Sequence, residues 1–314
     1  MLTFFIRRLL AVIPVLFVVS VVVFLILRLA PGDPAAVIAG NSATVADIEQ
    51  IRAALNLDQP LPVQYFLWAF DVIRGDLGYS YFLNLPVTTL VAQRVEPTLA
   101  LATGTIVFAI VFAVPLGTLA AWRMGGWLDK ALSVMSVAGF SVPVFVVGYV
   151  LMYLFAVRWD LLPVQGYQFW AESTWWEWLR QLLMPWLALG IIYVALIARV
   201  TRASVSEALT EDYIRTARAK GLTESAVLLR HALANAAVPI VTVIGIGVAL
   251  LIGGVVVTET VFAIPGLGSF TVDAVLNRDF PVIQGLVLLF AVCYVVVNLI
   301  IDLSYLVLDP RIRY

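Results

Sequence analysis

Asp212, Arg215, Arg218 and Lys220 fall within nine positions of the stretch DYIRTARAKGL, residues 212–222. Side chains of this kind make ion pairs and hydrogen bonds to a partner surface. They lack what a reaction needs, a nucleophile held beside a base or a set of metal ligands. The rest of the chain does not supply those groups. It has one histidine, His231, and one cysteine, Cys293, and its only lysines are Lys130 and Lys220. No G-x-x-x-x-G-K-[ST], H-E-x-x-H, C-x-x-C or G-x-S-x-G occurs, so a P-loop, a zinc protease site, a paired-thiol site and a nucleophile elbow are all excluded. A lone histidine builds no metal site, and His231 is expected to be structural. The chemistry on offer at 212–222 is recognition.

The stretch has the signals of a helix. Glu211 and Asp212 stand at its start and Arg215, Arg218 and Lys220 toward its end, which complements the helix dipole. Gly221 is a natural stop, and Thr223 can cap a second helix. The spacing predicts a helix-turn-helix knuckle. Its small residues Ala217, Ala219 and Gly221 would let another surface approach closely. Two readings stay open, a docking surface and an ordinary basic loop beside a membrane.

The elements that must carry this knuckle follow from composition. The 314 residues are 62% hydrophobic and 12% charged, with a mean hydropathy of +1.02. Too little polar sequence remains to cover a soluble surface, so the chain reads as an integral membrane protein. The net charge of −1 gives no basic stripe for nucleic acid. Cys293 lies in an apolar run and is expected to be a buried, inert thiol.

Six stretches lack Asp, Glu, Lys and Arg over 18 to 28 residues: 9–27, 97–122, 131–157, 181–198, 231–258 and 280–301. Each approaches the roughly 20 residues that cross a bilayer core as a helix. The first is too long for a signal-peptide core, and Arg28 follows it, so it is read as a retained span. The expected organisation is a first transmembrane helix in 1–30, a loop with short helices over 31–96, and a core over 97–314. The core helices lie near 97–122, 131–157, 181–199, 234–258 and 281–307, with a charged loop at 200–233. With the N-terminus inside, 12 Lys and Arg fall on the cytoplasmic side and 7 outside. That bias puts both termini in the cytoplasm.

In the 31–96 loop, Thr44 and Asp47 form a helix-start signal, with Ile48, Ile51 and Leu55 at helical spacing. A second helix is expected from Pro62 to Arg74, stopped by Gly75 and carrying Phe66, Phe70 and Ile73 on one face. This loop reads either as an interfacial cap on the membrane or as a platform for an external partner. Trp159, Trp170, Trp175, Trp176 and Trp178 crowd the 158–180 loop and suit the membrane interface. Ala113, Gly117 and Ala121 stand four apart, a face for close helix packing.

An ion-coupled carrier would place ionisable groups in the middle of its spans. Here Glu259 and Asp302 lie toward span ends, where water or a partner could relieve their charge. Energy for transport would then come from another subunit. A self-sufficient secondary carrier is the competing reading, and a membrane-anchored enzyme is a distant third. Glu259, Asp273, Arg278 and Asp279 flank the turn AIPGLG. They could line a gate or meet a docked protein, or they could be solvated charges at helix ends. Asn298 and Asp302 share a face and are expected to bond between helices.

The segment RTARAKG, residues 215–221, resembles the EAA motif of ABC importer permeases. Ala217 and Gly221 match; Arg215 stands where the motif has glutamate, Thr216 at its first alanine and Ala234 at its downstream proline. The blocks RRLLAVIPVLFVVSVVVFLILRLAPGDPA, LDQPLPVQY, GDLGYS, GGVVVTETVFAIPGLG, RDFPVIQG and LDPRIRY, in that order, resemble the peptide/nickel branch of the family. The resemblance is to the B-type permease of dipeptide and oligopeptide importers.

It implies an all-α bundle of six transmembrane helices, like a type I importer permease, with a periplasmic helical loop after the first helix. It implies a non-catalytic subunit of a bacterial or archaeal cytoplasmic membrane that transports peptides, or else glutathione, a nickel chelate or an oligosaccharide. A homologous C-type permease would complete the path as a heterodimer, surrounded by membrane lipid. Two cytoplasmic ATPases would bind ATP and Mg, and an extracytoplasmic binding protein would deliver cargo. The coupling residues would be Asp212, Tyr213, Arg215, Thr216, Ala217, Arg218, Lys220 and Gly221.

Overall fold

The computed structural model describes residues 2–29, 33, 35–36 and 43–308. The LDPRIRY block, with Arg311 and Arg313, lies outside them, as does most of the PGDPA segment. The described chain is almost entirely helical and forms two compact units. Five helices are each long and apolar enough to cross a bilayer, and a bent pair makes a sixth when taken as one span.

One unit comprises residues 97–265 and 297 onward. It contains most of α4 (Val87–Trp122), then α5 (Trp127–Ser141), α6 (Val144–Leu151) and α7 (Trp175–Leu209). The knuckle α8 (Asp212–Ala219) and the span α9 (Ala237–Phe262) follow. Helix α7 is the centre: 61% of its most apolar window is buried, against 33% for α9. Lipid tails are as apolar as Leu, so burial itself drives little association here, and close packing must hold the helices. The small residues supply it. A Cβ on Gly117 would lie 2.5 Å from the Ala198 carbonyl and 2.7 Å from Thr201 Cβ, so α4 and α7 touch backbone to backbone there. Ala113 and Ala121 are buried on either side, as the four-residue spacing predicts. Gly104 seats the Trp186 indole, whose Nε1 donates to the Ala100 carbonyl at 3.1 Å.

The stretch 131–157 is not one straight helix. α5 and α6 meet at an angle of 103°. Pro143 is the cause. It drives Val142 into an extended conformation, with φ −97° and ψ 121°, and then caps the next helix. Beyond Leu151 the helix continues as a π-helical turn, Met152–Arg158.

The other unit comprises residues 2–96 and 266–296. Helix α1 (Leu2–Leu29) contacts α3 (Leu61–Ile73) through aromatic rings, with Phe24 edge-on to Tyr65 at 5.4 Å. Thr44 and Asp47 form the expected capping box at the start of α2 (Val45–Ala54). Helix α3 ends in a Schellman motif: Asp76 N–H donates to the Asp71 carbonyl and Gly75 N–H to Val72, with Gly75 at φ +89°. A two-stranded hairpin pairs β1 (Tyr79–Ser80) with β2 (Leu85–Pro86). Val87, Leu90 and Val91 then pack with Leu267, Phe270 and Ala274 of α10 (Leu267–Leu276) and with Val282 and Leu286 of α11 (Phe280–Leu308). Cys293 on α11 is exposed rather than buried, because the apolar run around it presents an outward face.

Candidate coupling site and acidic positions

Residues 212–222 fold as expected, and the geometry shows why. Glu211 is the N-cap of α8, and its carbonyl accepts from Ile214 N–H at 3.1 Å. The helix closes in a Schellman motif, with Leu222 N–H on the Ala217 carbonyl and Gly221 N–H on Arg218. Gly221 sits at φ +78°, a left-handed conformation that L side chains resist. Thr223 then caps residues 224–235 by accepting from Ala226 N–H. The middle of that second segment, Val227–Ala232, is π-helical.

Two side chains fasten α8 inward. Ile214 is fully buried and Ala217 nearly so, in a cluster with Ala121, Val205, Ala208, Val227 and Leu228. This corrects one expectation: Ala217 faces the chain's own core, because it lies three residues after Ile214 and shares its face. Ala219 and Gly221 remain exposed. So do Asp212, Arg215, Thr216, Arg218 and Lys220, and Tyr213 is 38% exposed. The outward face is therefore charged along its length.

Arg218 makes two hydrogen bonds to Glu224 across the turn, at 2.9 and 3.1 Å. That fork holds the Glu224 carboxyl below the ordinary glutamate value. Arg215 pairs with Asp212 at 3.1 Å, but both side chains are largely in solvent, where such pairs contribute little. Next to the knuckle, Arg202 of α7 forms a forked pair with Asp129 of α5. Asp129 also accepts from Gly125 N–H at 2.9 Å. The sequence reading missed Ile214 as an anchor and Glu224 as a partner. Ile214 was findable as the one large aliphatic residue between Glu211 and Gly221. Glu224 was not, because the pair crosses a turn where helical spacing gives no guide.

The four residues that flank the AIPGLG turn divide between the units. Glu259 is fully buried in the first and accepts from Thr98 Oγ1 at 2.6 Å. Its polar partners therefore come from the chain itself rather than from water at a span end. Asp273, Arg278 and Asp279 belong to the second unit. Asp273 and Arg278 are exposed, while Asp279 is buried and accepts a hydrogen bond from Ser80 Oγ. Burial pushes the Asp279 carboxyl up, opposed by Ser80 and by the Val282 backbone N–H. Glu259 and Asp279 are thus interior ties rather than solvated charges. Arg278 stands at φ +54°, the left-handed position closing α10.

Long apolar helices packed through small residues, with a charged knuckle fixed beneath them, define a multi-span membrane component whose polar chemistry is concentrated in a short surface helix. Comparison with known proteins gives the particular family. Residues 113–314 match the binding-protein-dependent transport system inner membrane component, and residues 1–102 match its N-terminal region. The chain belongs to this family of ABC transporter permeases. It is 51% identical to a probable peptide ABC transporter permease protein of Sinorhizobium fredii, over 99% of both chains. It is 43% identical to the glutathione transport system permease protein of Pectobacterium atrosepticum and 42% identical to that of Escherichia coli K12, in both cases over the full length of both chains.

Proposed function

We propose that this chain forms half of the translocation path of an importer for peptides, and that α8 is the helix through which ATP-driven motion enters it. The observation that carries this reading is the two-sided build of α8. Its inner face is locked by Ile214 and Ala217, while Asp212, Tyr213, Arg215, Thr216, Arg218, Lys220 and Gly221 stay outside. A surface helix fixed on one side and charged on the other suits a partner that pushes. The relatives named for peptide transport and for the tripeptide glutathione support small peptides as cargo. Glutathione itself is the second reading.

The assembly we infer has a homologous C-type permease, two cytoplasmic ATPases that hold ATP and Mg, and an extracytoplasmic binding protein. This chain does no catalysis in it. Both termini and α8 lie in the cytoplasm, in keeping with the excess of Lys and Arg on that side. ATP-driven closure of the ATPases would press on α8 and its counterpart and switch the bundle between two orientations. Of the residues flanking the AIPGLG turn, the exposed Asp273 and Arg278 are assigned to contacts of the binding protein, and the buried Glu259 and Asp279 are each assigned as a tie of a gate within its own unit.

Purification of the tagged chain from its native membrane tests the reading. A second permease and one or two P-loop ATPases should come with it. Recovery of the chain alone, still transporting in vesicles without ATP, would overturn it in favour of a secondary carrier.

A further inference from the structure

The second unit contains a cavity of about 400 Å³ that the transport reading does not use. Its lining includes Arg28, Gln64, Asp71, Asp76, Tyr81 and Gln284. Arg28 ends the first membrane-spanning helix, so the cavity sits at the depth of lipid headgroups. The arginine is half-buried and preset. Its guanidinium lies over the Phe24 ring at 3.9 Å, and Nε donates to Gln64 Oε1 at 3.2 Å. Gln64, itself nearly fully buried, is held by bonds to the Leu57 and Gln59 carbonyls. Among the described residues no carboxylate or carbonyl meets the two Nη groups of Arg28.

Gln284 is 4% exposed and donates through Nε2 to the Val23 carbonyl at 3.0 Å. Its Oε1 has no hydrogen-bond partner among the described residues. A guanidinium whose two Nη groups meet no acceptor among the described residues has the bidentate geometry that a phosphate satisfies. A purely anionic ligand would also meet Asp71 and Asp76, and two carboxylates would repel it. A ligand that carries phosphate and an ammonium on a short arm meets both signs. The ammonium also supplies donors for the Gln284 oxygen.

We propose that this cavity is a headgroup site for an aminophospholipid. The phosphate pairs with Arg28, and the ammonium is held by Asp71 and Asp76. Helix α3, one wall of the cavity, also leaves Phe66, Phe70 and Ile73 exposed, at 70%, 51% and 82%. They lie on the face of α3 opposite Gln64, Trp68 and Asp71, so they meet lipid on the side of the helix away from the cavity. The inference is independent of cargo and of ATPase coupling.

The test uses the full chain in nanodiscs of phosphatidylcholine doped with equal amounts of phosphatidylethanolamine and phosphatidylglycerol. Lipids retained on release are read by native mass spectrometry. The wild type should keep phosphatidylethanolamine preferentially. Arg28→Gln should keep roughly tenfold less, the order expected when a charge-assisted hydrogen-bonded pair is lost. Arg28→Lys should fall between. Asp71→Asn with Asp76→Asn changes two exposed positions and leaves the Arg28–Gln64 pair intact. It should move the preference toward phosphatidylglycerol, and it keeps the test decisive if Arg28→Gln fails to fold. Equal retention by wild type and Arg28→Gln would overturn the site, as would a wild-type preference for phosphatidylglycerol. Displacement of the lipid by soluble glycerophosphoethanolamine at matched concentration would assign the cavity to a free solute and overturn the lipid reading.

Discussion

The hydroxyl of Thr98 on α4 donates a 2.6 Å hydrogen bond to the carboxylate of Glu259 on α9. It joins two membrane helices at a residue that has no exposed surface. A typical intramolecular hydrogen bond contributes about 0.5–1.5 kcal/mol net, and Glu259 keeps its other interaction when this one is lost. Thr98→Val should therefore destabilise the chain by about 0.5–1.5 kcal/mol. Glu259→Gln, which keeps an oxygen facing Thr98, should cost less. Thermal melts of the purified variants in one detergent check the order. The pairing has no stabilising role if Thr98→Val melts with the wild type.

The contact at Gly117 leaves no room for a methyl group. With the Ala198 carbonyl 2.5 Å from any added Cβ, Gly117→Ala must push α4 away from α7. Overpacking of this kind costs about 1–3 kcal/mol. Gly253, where an added Cβ meets nothing within 4 Å, serves as the control. Gly253→Ala should match or exceed wild-type stability, since Ala is the better helix former.

Acid should loosen the knuckle before it loosens the bundle. Arg218 holds the Glu224 carboxyl below its ordinary value of 4.5. A carboxyl depressed in the folded state stabilises at pH above that value, and the contribution is lost as pH falls through the folded value. Hydrogen exchange over residues 212–226 should be flat near neutrality and rise below about pH 4.5. Glu224→Gln should show the faster exchange already at pH 7. A variant as protected as the wild type at pH 7 would mean that the turn is held without this pair.

Two helices end on residues that dislike the left-handed conformation, Ala263 at φ +51° and Arg278 at φ +54°. Glycine removes the strain at either position. Ala263→Gly should raise stability by about 0.5–1 kcal/mol. A loss of stability on that change, measured by the same melts, would show that the Ala263 methyl group has a packing role that outweighs its strain.

Gly221 separates turn chemistry from partner contact. Asn tolerates positive φ well, and no atom of the chain lies within 4 Å of an added Cβ there. Gly221→Asn should leave the fold and membrane level unchanged, while Gly221→Asp or Gly221→Asn should abolish uptake if a partner packs on this point. Normal uptake by both variants would remove Gly221 from the coupling surface.

Much of this architecture is written in local signals. The charge-free runs mark the spans. Thr44 with Asp47 and Gly75 with its Schellman bonds were legible as helix ends, because caps depend on neighbours in sequence. The bend at Val142 was marked by Pro143, yet the unbroken apolar run hid it, since hydropathy counts composition and not direction. Burial of Glu259 and Ala217 was not legible, because it depends on which helix packs against them. The cavity at Arg28 draws on Gln64 and Gln284, residues far apart in the chain, and no spacing rule joins them.

Helix α7 links the knuckle to the segment around Gln168. Its 35 residues form one helix from the Thr174 cap to Leu209, with Pro185 in its interior, about 52 Å long at 1.5 Å per residue. Near one end Val205 and Ala208 bear on Ile214 of the knuckle. Near the other, Gln181 is tied to Gln168 by two backbone-like bonds, and Trp178 donates to the Tyr167 hydroxyl. Each end therefore moves together with the segment that clasps it. A tilt of roughly 10° about its midpoint would carry each end about 4.5 Å in opposite directions. Such a tilt would carry a displacement from the knuckle to the Gln168 segment without a relay of side chains.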